Sequence, residues 1–360
     1  MGHIKERICL LALIILLFPA LSLGQCLEGD CINGEGVIKY TDGSVYRGTF
    51  KDGLASGTGS LETPDGSRYT GAFENNEAHG KGVMEQPDGT RYEGEFINNV
   101  KHGTGTLTFA NGDVYTGGFR NDEICGRGKY TTADGSYVYE GEFRDGKAHG
   151  QGVVEMPDGS RYEGEFQNDR RHGRGTLTYP DGSVYTGGFV DDDMHGSGRL
   201  ESSDGSSYEG DFRDGKIQGQ GTFEGADGLT YTGEVRDGEF HGHGTIVWPN
   251  GAKYTGEFVD GIDQGSGTIW FTDGSVYEGE VAGGLRHGKG VYTFEDGTVY
   301  EGDFVQGRME GQGRMRLPDG TEYAGEFKDG DFHGQGMLFH PDGRVQEGKF
   351  SNGAYAGPGS

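Results

Sequence analysis

A tyrosine returns every 23 residues along most of this chain, and few architectures accept so short and so strict a beat. The positions are Tyr46, Tyr69, Tyr92, Tyr115, Tyr139, Tyr162, Tyr185, Tyr208, Tyr231, Tyr254, Tyr277, Tyr300 and Tyr323, with one interval of 24 between Tyr115 and Tyr139. Two residues after each of the thirteen stands a glycine. Four residues after stands Phe in eleven units and Val in two, Val235 and Val281. The residue fifteen after is always apolar, from Leu61 in the first unit to Leu338 in the last.

Tyr, Gly and Phe at i, i+2 and i+4 share one face of a strand. The second half of the unit, Gly-x-Gly-x-apolar, keeps the same period of two. Asp-Gly or Asn-Gly ahead of each tyrosine segment is a hairpin turn signal, since glycine takes positive φ freely. Each unit therefore predicts two short strands, with Gly-x-Gly following a turn and opening the second. Inward-facing glycine leaves room for a neighbouring ring to lie across the backbone, and its frequency excludes helix. Stacked in order, the units predict an all-β fold: an elongated, twisted, single-layer antiparallel meander of β-hairpin repeats, solenoid-like in its repetition. The 24-residue interval, around Ser136, Tyr137 and Val138, predicts a bulge or a longer turn. Gly34, Gly36, Asp42 and Gly43 form a half unit before Tyr46, and Gln346, Gly348 and Phe350 open a fourteenth. The repeat array thus runs over 34–360, thirteen full units between two half units.

Composition agrees with a thin structure. Glycine contributes 74 of 360 residues, about three times its usual share, and the hydrophobic fraction is 32%. The 19 Tyr and 20 Phe are more than a disordered acidic chain carries. The formal charge of −27 repels nucleic acid, which is excluded as a partner class, and disfavours anionic membrane lipid. The longest basic run is Arg170-Arg171.

The N-terminus reads as an export signal. Lys5 and Arg7 precede an apolar run from Ile8 to Phe18, Pro19 breaks it, and Ser22 and Gly24 place small residues ahead of a cleavage point. Residues 1–24 are the expected signal peptide, and cleavage leaves Gln25 first. The run is short of the ~20 residues of a membrane span; an uncleaved anchor is the alternative, and a lipidated Cys26 is poorly served by the bulky Gln25. The expected location is secreted, periplasmic or cell-envelope. Export permits disulfides: Cys26 and Cys31 are close enough to pair within an N-terminal cap segment, 25–33. Cys125, in a slot elsewhere held by His, reads as a small buried or half-buried thiol.

With these residues in view the chain resembles the MORN (membrane occupation and recognition nexus) repeat family. The resemblance rests on segments such as Tyr92, Gly94 and Phe96 followed by His102, Gly103 and Gly105, and Tyr139, Gly141 and Phe143 followed by His149, Gly150 and Gly152. It covers residues 34–360. The family implies one hairpin per repeat in an extended twisted sheet, and a scaffold or dimerising spacer, often near membranes. No kinase, methyltransferase or exchange-factor segment accompanies the repeats here.

The chemistry-bearing residue types have plainer readings. His79, His102, His149, His172, His195, His241, His287 and His333 share one slot, ten after tyrosine. Successive rungs should lie two strands, ~9–10 Å, apart, too far for one zinc ion with ligands at ~2 Å. The slot also holds Ser56, Cys125, Gln218, Gln264 and Glu310, which reads as a turn hydrogen-bonding position. One Asp per unit in Asp-Gly is a turn residue rather than a calcium ligand, and the acidic spot Asp191–Asp193 lacks the rest of an EF-hand loop. No nucleophile elbow, His-Glu-x-x-His or phosphate-binding loop is present. The expectation is no enzyme, no metal and no cofactor.

One feature drifts along the array. Seventeen after tyrosine the chain is mixed at first, then becomes Trp248, Phe271, Phe294 and Leu317, with Trp270 and Phe339 one residue earlier in their own units. Lined up as a stripe, these residues either widen the core or present a partner surface. The expected function is a scaffold for protein–protein interaction or assembly, with self-association as a homodimer included. Phospholipid binding through the repeats is one alternative, and a glycan-binding face with Trp248 and Trp270 as stacking platforms is another.

Overall fold

The computed structural model describes residues 24–358; the expected signal peptide, 1–24, falls almost wholly outside them. The described chain is all-β: thirty strands and no helix. It divides at Asp193/Met194 into two compact units. Within each, consecutive strands pair antiparallel in an open sheet, beginning with Gln25–Gly29 against Glu35–Lys39 in the first and with Asp193–Glu201 against Ser207–Arg213 in the second.

Each repeat is a seven-residue strand carrying Tyr-x-Gly-x-Phe, a two-residue turn, and a nine-residue strand. Arg91–Ile97, Asn98-Asn99 and Val100–Thr108 show it. Asn98 and Asn99 have φ of 50° and 70°, a turn whose twist matches that of the flanking strands. The next repeat is reached through an Asp-Gly or Asn-Gly turn, here Asn111-Gly112. Phe109 N–H donates to Asp113 O at 2.8 Å, and Gly112, at φ 88°, donates to Phe109 O. Asp65, Asp88, Asp158 and their equivalents fix this turn by accepting the N–H two residues on, at 2.8–3.0 Å. The 24-residue interval is a longer turn: Thr132 N–H donates to Tyr137 O, five residues on, where other repeats close over four.

The core is one ring thick. All thirteen tyrosines are at most 3% exposed. Tyr92 pairs with Leu107 and Gly94 with Gly105, and the Tyr92 ring lies over the two glycines: a Cβ on Gly105 would sit 2.5 Å from it. Phe96 and Phe119 pack edge-on against that ring, at 5.1 and 4.9 Å. Each Tyr hydroxyl donates to the carbonyl three residues on, as Tyr162 does to Glu165 at 2.9 Å.

Gly-x-Gly does not open the second strand, as the sequence leads one to expect. It lies mid-strand at a β-bulge. Glu95 faces His102 while Gly94 faces Gly105, so Gly103 and Thr104 are extra on that side, and Gly103 has φ 61°. The strand itself starts three residues before that glycine.

Candidate interaction surface

The bulge fixes the partners of two residues in each unit, of which the first, a glutamate, is one the sequence leaves unexplained. Glu95 accepts from Thr104 N–H at 3.3 Å and from its hydroxyl at 3.0 Å; these bonds hold its carboxyl below the usual range. Glu165, Glu280 and Glu326 accept in the same way from Arg174, Lys289 and Gln335. The second residue is the histidine, which serves mainly through its backbone: His287 O and His333 O each accept a tyrosine hydroxyl at 3.0 Å. Side chains in that slot face the next repeat's turn. Gln218 accepts Asp237 N–H at 2.8 Å, and His195 and His241 each lie 3.7 Å from the turn carboxylate of Asp214 or Asp260. Among the described residues no group of three or more His, Cys, Asp or Glu has a metal-holding arrangement.

The two units are stapled differently. In the first, the second turn residue is Asn or Asp at Asn76, Asn99, Asp122, Asp169 and Asp192, with glycine at Gly53 and Gly146, and the Oδ1 of each of those five accepts the N–H of the residue 21 earlier at 2.7–2.9 Å. That earlier residue's carbonyl accepts the turn's own N–H in return, as Ala78 O does from Asn99. In the second unit a glycine such as Gly238 or Gly261 stands there, and only the backbone bond remains. Packing compensates. Phe240 stacks flat on Tyr231 at 3.8 Å in the Val235 repeat. In the Val281 repeat the Arg286 guanidinium lies 4.4 Å over Tyr292.

The aromatic drift of the later repeats does not form one stripe. Trp248, Phe271, Phe294 and Leu317 begin the inter-repeat turns and are half-buried. Phe271 and Phe294 both contact the core ring of Tyr292, at 5.7 and 4.4 Å. Trp270 and Phe339 sit one residue earlier, in strands, directly after the core-facing Ile269 and Leu338. A one-residue offset turns a strand side chain to the opposite face, so these two belong to the outer face, away from the tyrosine rings. Trp270 is half-buried, and Lys253 Nζ lies 3.7 Å over its ring. The two tryptophans therefore share no stacking platform. At the N-terminus Cys26 and Cys31 are disulfide-bonded, with Cα atoms 6.1 Å apart. Cys125 is a free, half-buried thiol.

The outer face carries an open groove of about 1010 Å³ in the second unit. Its floor crosses the paired glycines Gly302, Gly313 and Gly325, where no side chain stands. Val291, Ala324 and Met337 give it apolar walls, with Arg314, Glu301 and Glu347 among them.

Hairpins in tandem, a core consumed by the repeat lattice and a variable outer face define a β-hairpin repeat array. The MORN repeat model matches thirteen tandem segments, residues 46–68, 69–91, 92–114, 115–137, 139–161, 162–184, 185–207, 208–230, 231–253, 254–276, 277–299, 300–322 and 323–343. The chain belongs to the MORN repeat family. No curated protein matches it. Among solved structures it is similar to the TCP10 domain of Danio rerio CPAP, with 18% identity over 56% of this chain and 97% of that one and a TM-score of 0.32. It is also similar to the SAS-4 TCP domain of Drosophila melanogaster, determined with a proline-rich motif of Ana2, with 16% identity, coverage of 49% and 83%, and a TM-score of 0.26. At such scores these likenesses carry nothing further.

Proposed function

We propose that the chain is a non-enzymatic scaffold that binds protein partners outside the cytoplasm, and that residues 34–360 act throughout as the binding array. The observation that carries this reading is the outer-face groove. Tyr, Gly, Phe and the bulge-capping Glu are occupied in holding the sheet together, whereas the exposed Met337 and the half-buried Val291 and Ala324 line the groove and leave apolar surface available. Exposed apolar surface flanked by charge is what protein interfaces use. The export half is supported by the layout of residues 1–24 and by the Cys26–Cys31 bond, a kind of link that persists in oxidising compartments.

Cross-linking of the purified mature chain in its native exported fraction tests the binding half. Cross-links to a defined protein are expected, and Val291→Glu with Met337→Glu should remove them. A partner retained by that variant, or anionic vesicles or glycans bound in place of protein, would overturn the reading. For export, mass spectrometry of the secreted chain should find Gln25 as its first residue. An intact N-terminus in the cytoplasm contradicts export, and an intact N-terminus in the membrane fraction indicates the uncleaved anchor instead.

A further inference from the structure

Cleavage after Gly24 makes a glutamine the first residue of the mature chain, and its surroundings in the fold bear on what becomes of its amine. Gln25 opens the edge strand Gln25–Gly29, every residue of which is exposed. Its carboxamide makes no hydrogen bond among the described residues. Its backbone is nonetheless held in place. Gln25 pairs with Lys39, and the next residue, Cys26, is disulfide-bonded to Cys31. Residue 24 marks where the new amine emerges: a Cβ on Gly24 would meet the Ile38 side chain at 2.6 Å and the Lys39 carbonyl at 3.2 Å. Cleavage therefore leaves an ammonium beside an aliphatic side chain and opposite a lysine. Like charges facing each other across a strand pair are destabilising, so this is a poor place for a second positive charge.

We infer that Gln25 is a modification site: its α-amine closes onto its own side chain, and the mature chain begins with a pyroglutamyl lactam. The neutral amine nitrogen attacks Cδ of the carboxamide. The N–Cδ bond forms, the Cδ–Nε2 bond breaks, and Nε2 leaves as ammonia with one proton from the amine. No oxidant, reductant or second substrate enters. With an ordinary α-amino pKa, roughly a tenth of the amine is neutral at pH ~7 and available as the nucleophile. The exposed side chain can swing back onto the amine without breaking a bond. Closure removes the charge opposite Lys39 and the free amine that aminopeptidases require. Protection matters at this end of the chain. Gln25–Gly29 covers the edge of Glu35–Lys39, and an uncovered strand edge invites unwanted pairing. Ile32, Asn33 and Gly34, between these two strands, also bond the first tight turn. The inference rests on the cleavage proposed above, because only a first residue carries a free α-amine.

Mass spectrometry of the full mature chain, taken directly from the exported fraction, tests this. The N-terminal peptide should begin at Gln25 and be lighter than its sequence requires by one ammonia. Stepwise N-terminal sequencing should read nothing until pyroglutamyl aminopeptidase has removed the first residue. Gln25→Asn keeps an exposed carboxamide one methylene shorter, which reaches its own amine only through a strained four-membered ring. That variant should keep its amine and its full mass. An aminopeptidase should remove its first residue under conditions that leave the wild-type chain intact. A chain that begins at Gln25 with a free amine, or one trimmed as readily as the variant, overturns this inference alone. A first residue other than Gln25 overturns the cleavage reading and this inference with it.

Discussion

At the residue scale, the lattice depends on one ring lying across two glycines. Tyr162 covers the Gly164–Gly175 pair, and a Cβ on Gly175 would meet ring atoms at 2.4–2.5 Å. Gly89 differs: its φ is 93° and its surroundings are open. Gly89→Ala should cost about 1–2 kcal/mol, the strain of a left-handed alanine. Gly175→Ala should cost more, because the ring has no space to retreat into a close-packed layer. Tyr162→Phe should cost about 1 kcal/mol through the lost bond to Glu165 O. Thermal melts of the three variants would rank them. Burial also raises the tyrosine pKa values, to about 12 for Tyr185, Tyr231, Tyr254 and Tyr277. The folded state then holds protons that the unfolded chain releases near pH ~10. Stability should be full below that value and decline as pH rises towards about 12, which near-ultraviolet circular dichroism would follow. The places of Tyr, Gly and Phe were legible because a period of two is visible in the letters. The roles of Glu95 and its equivalents were not, since a carboxylate caps a bulge only after the register has shifted.

At the element scale, the second residue of the tight turn decides whether a repeat gains a side-chain staple, and every such staple lies in the first unit. Asn99 Oδ1 accepts Ala78 N–H at 2.8 Å. Asn99→Gly keeps a residue suited to positive φ and removes only that acceptor. Opening at the Ala78 amide should become easier by about 1 kcal/mol, seen as faster exchange at that amide with little change in the overall melt. The inter-repeat turn could be read from Asp-Gly. The tight turn inside each unit was harder to place, because Asn75-Asn76 and Asn98-Asn99 take left-handed conformations without the glycine that usually announces them. The aromatic drift shows another limit of pattern reading. Trp270 and Phe271 are adjacent letters, yet the first ends a strand on the outer face and the second begins a turn against the core ring of Tyr292.

At the scale of the whole molecule, stability is a sum of neighbour contacts, so damage at one place should stay local. The disulfide-bonded hairpin holds the first tight turn: Phe50 N–H donates to Gly34 O at 2.7 Å, Gly53 N–H to Ile32 O at 2.9 Å, and Asp52 N–H to Asn33 Oδ1 at 2.9 Å. Cys26→Ser with Cys31→Ser should speed amide exchange over residues 25–53 and leave later repeats unchanged. One 23-residue lattice, ring over paired glycines, carries the fold in every repeat. Hydrogen exchange resolved along residues 34–358 tests it most directly. Protection should peak at the strand segments around each glycine pair, from Gly48–Gly59 to Gly325–Gly336, recur with the sequence period, and fall at every Asp-Gly turn. A profile without that period, or protection confined to a few repeats, would contradict it.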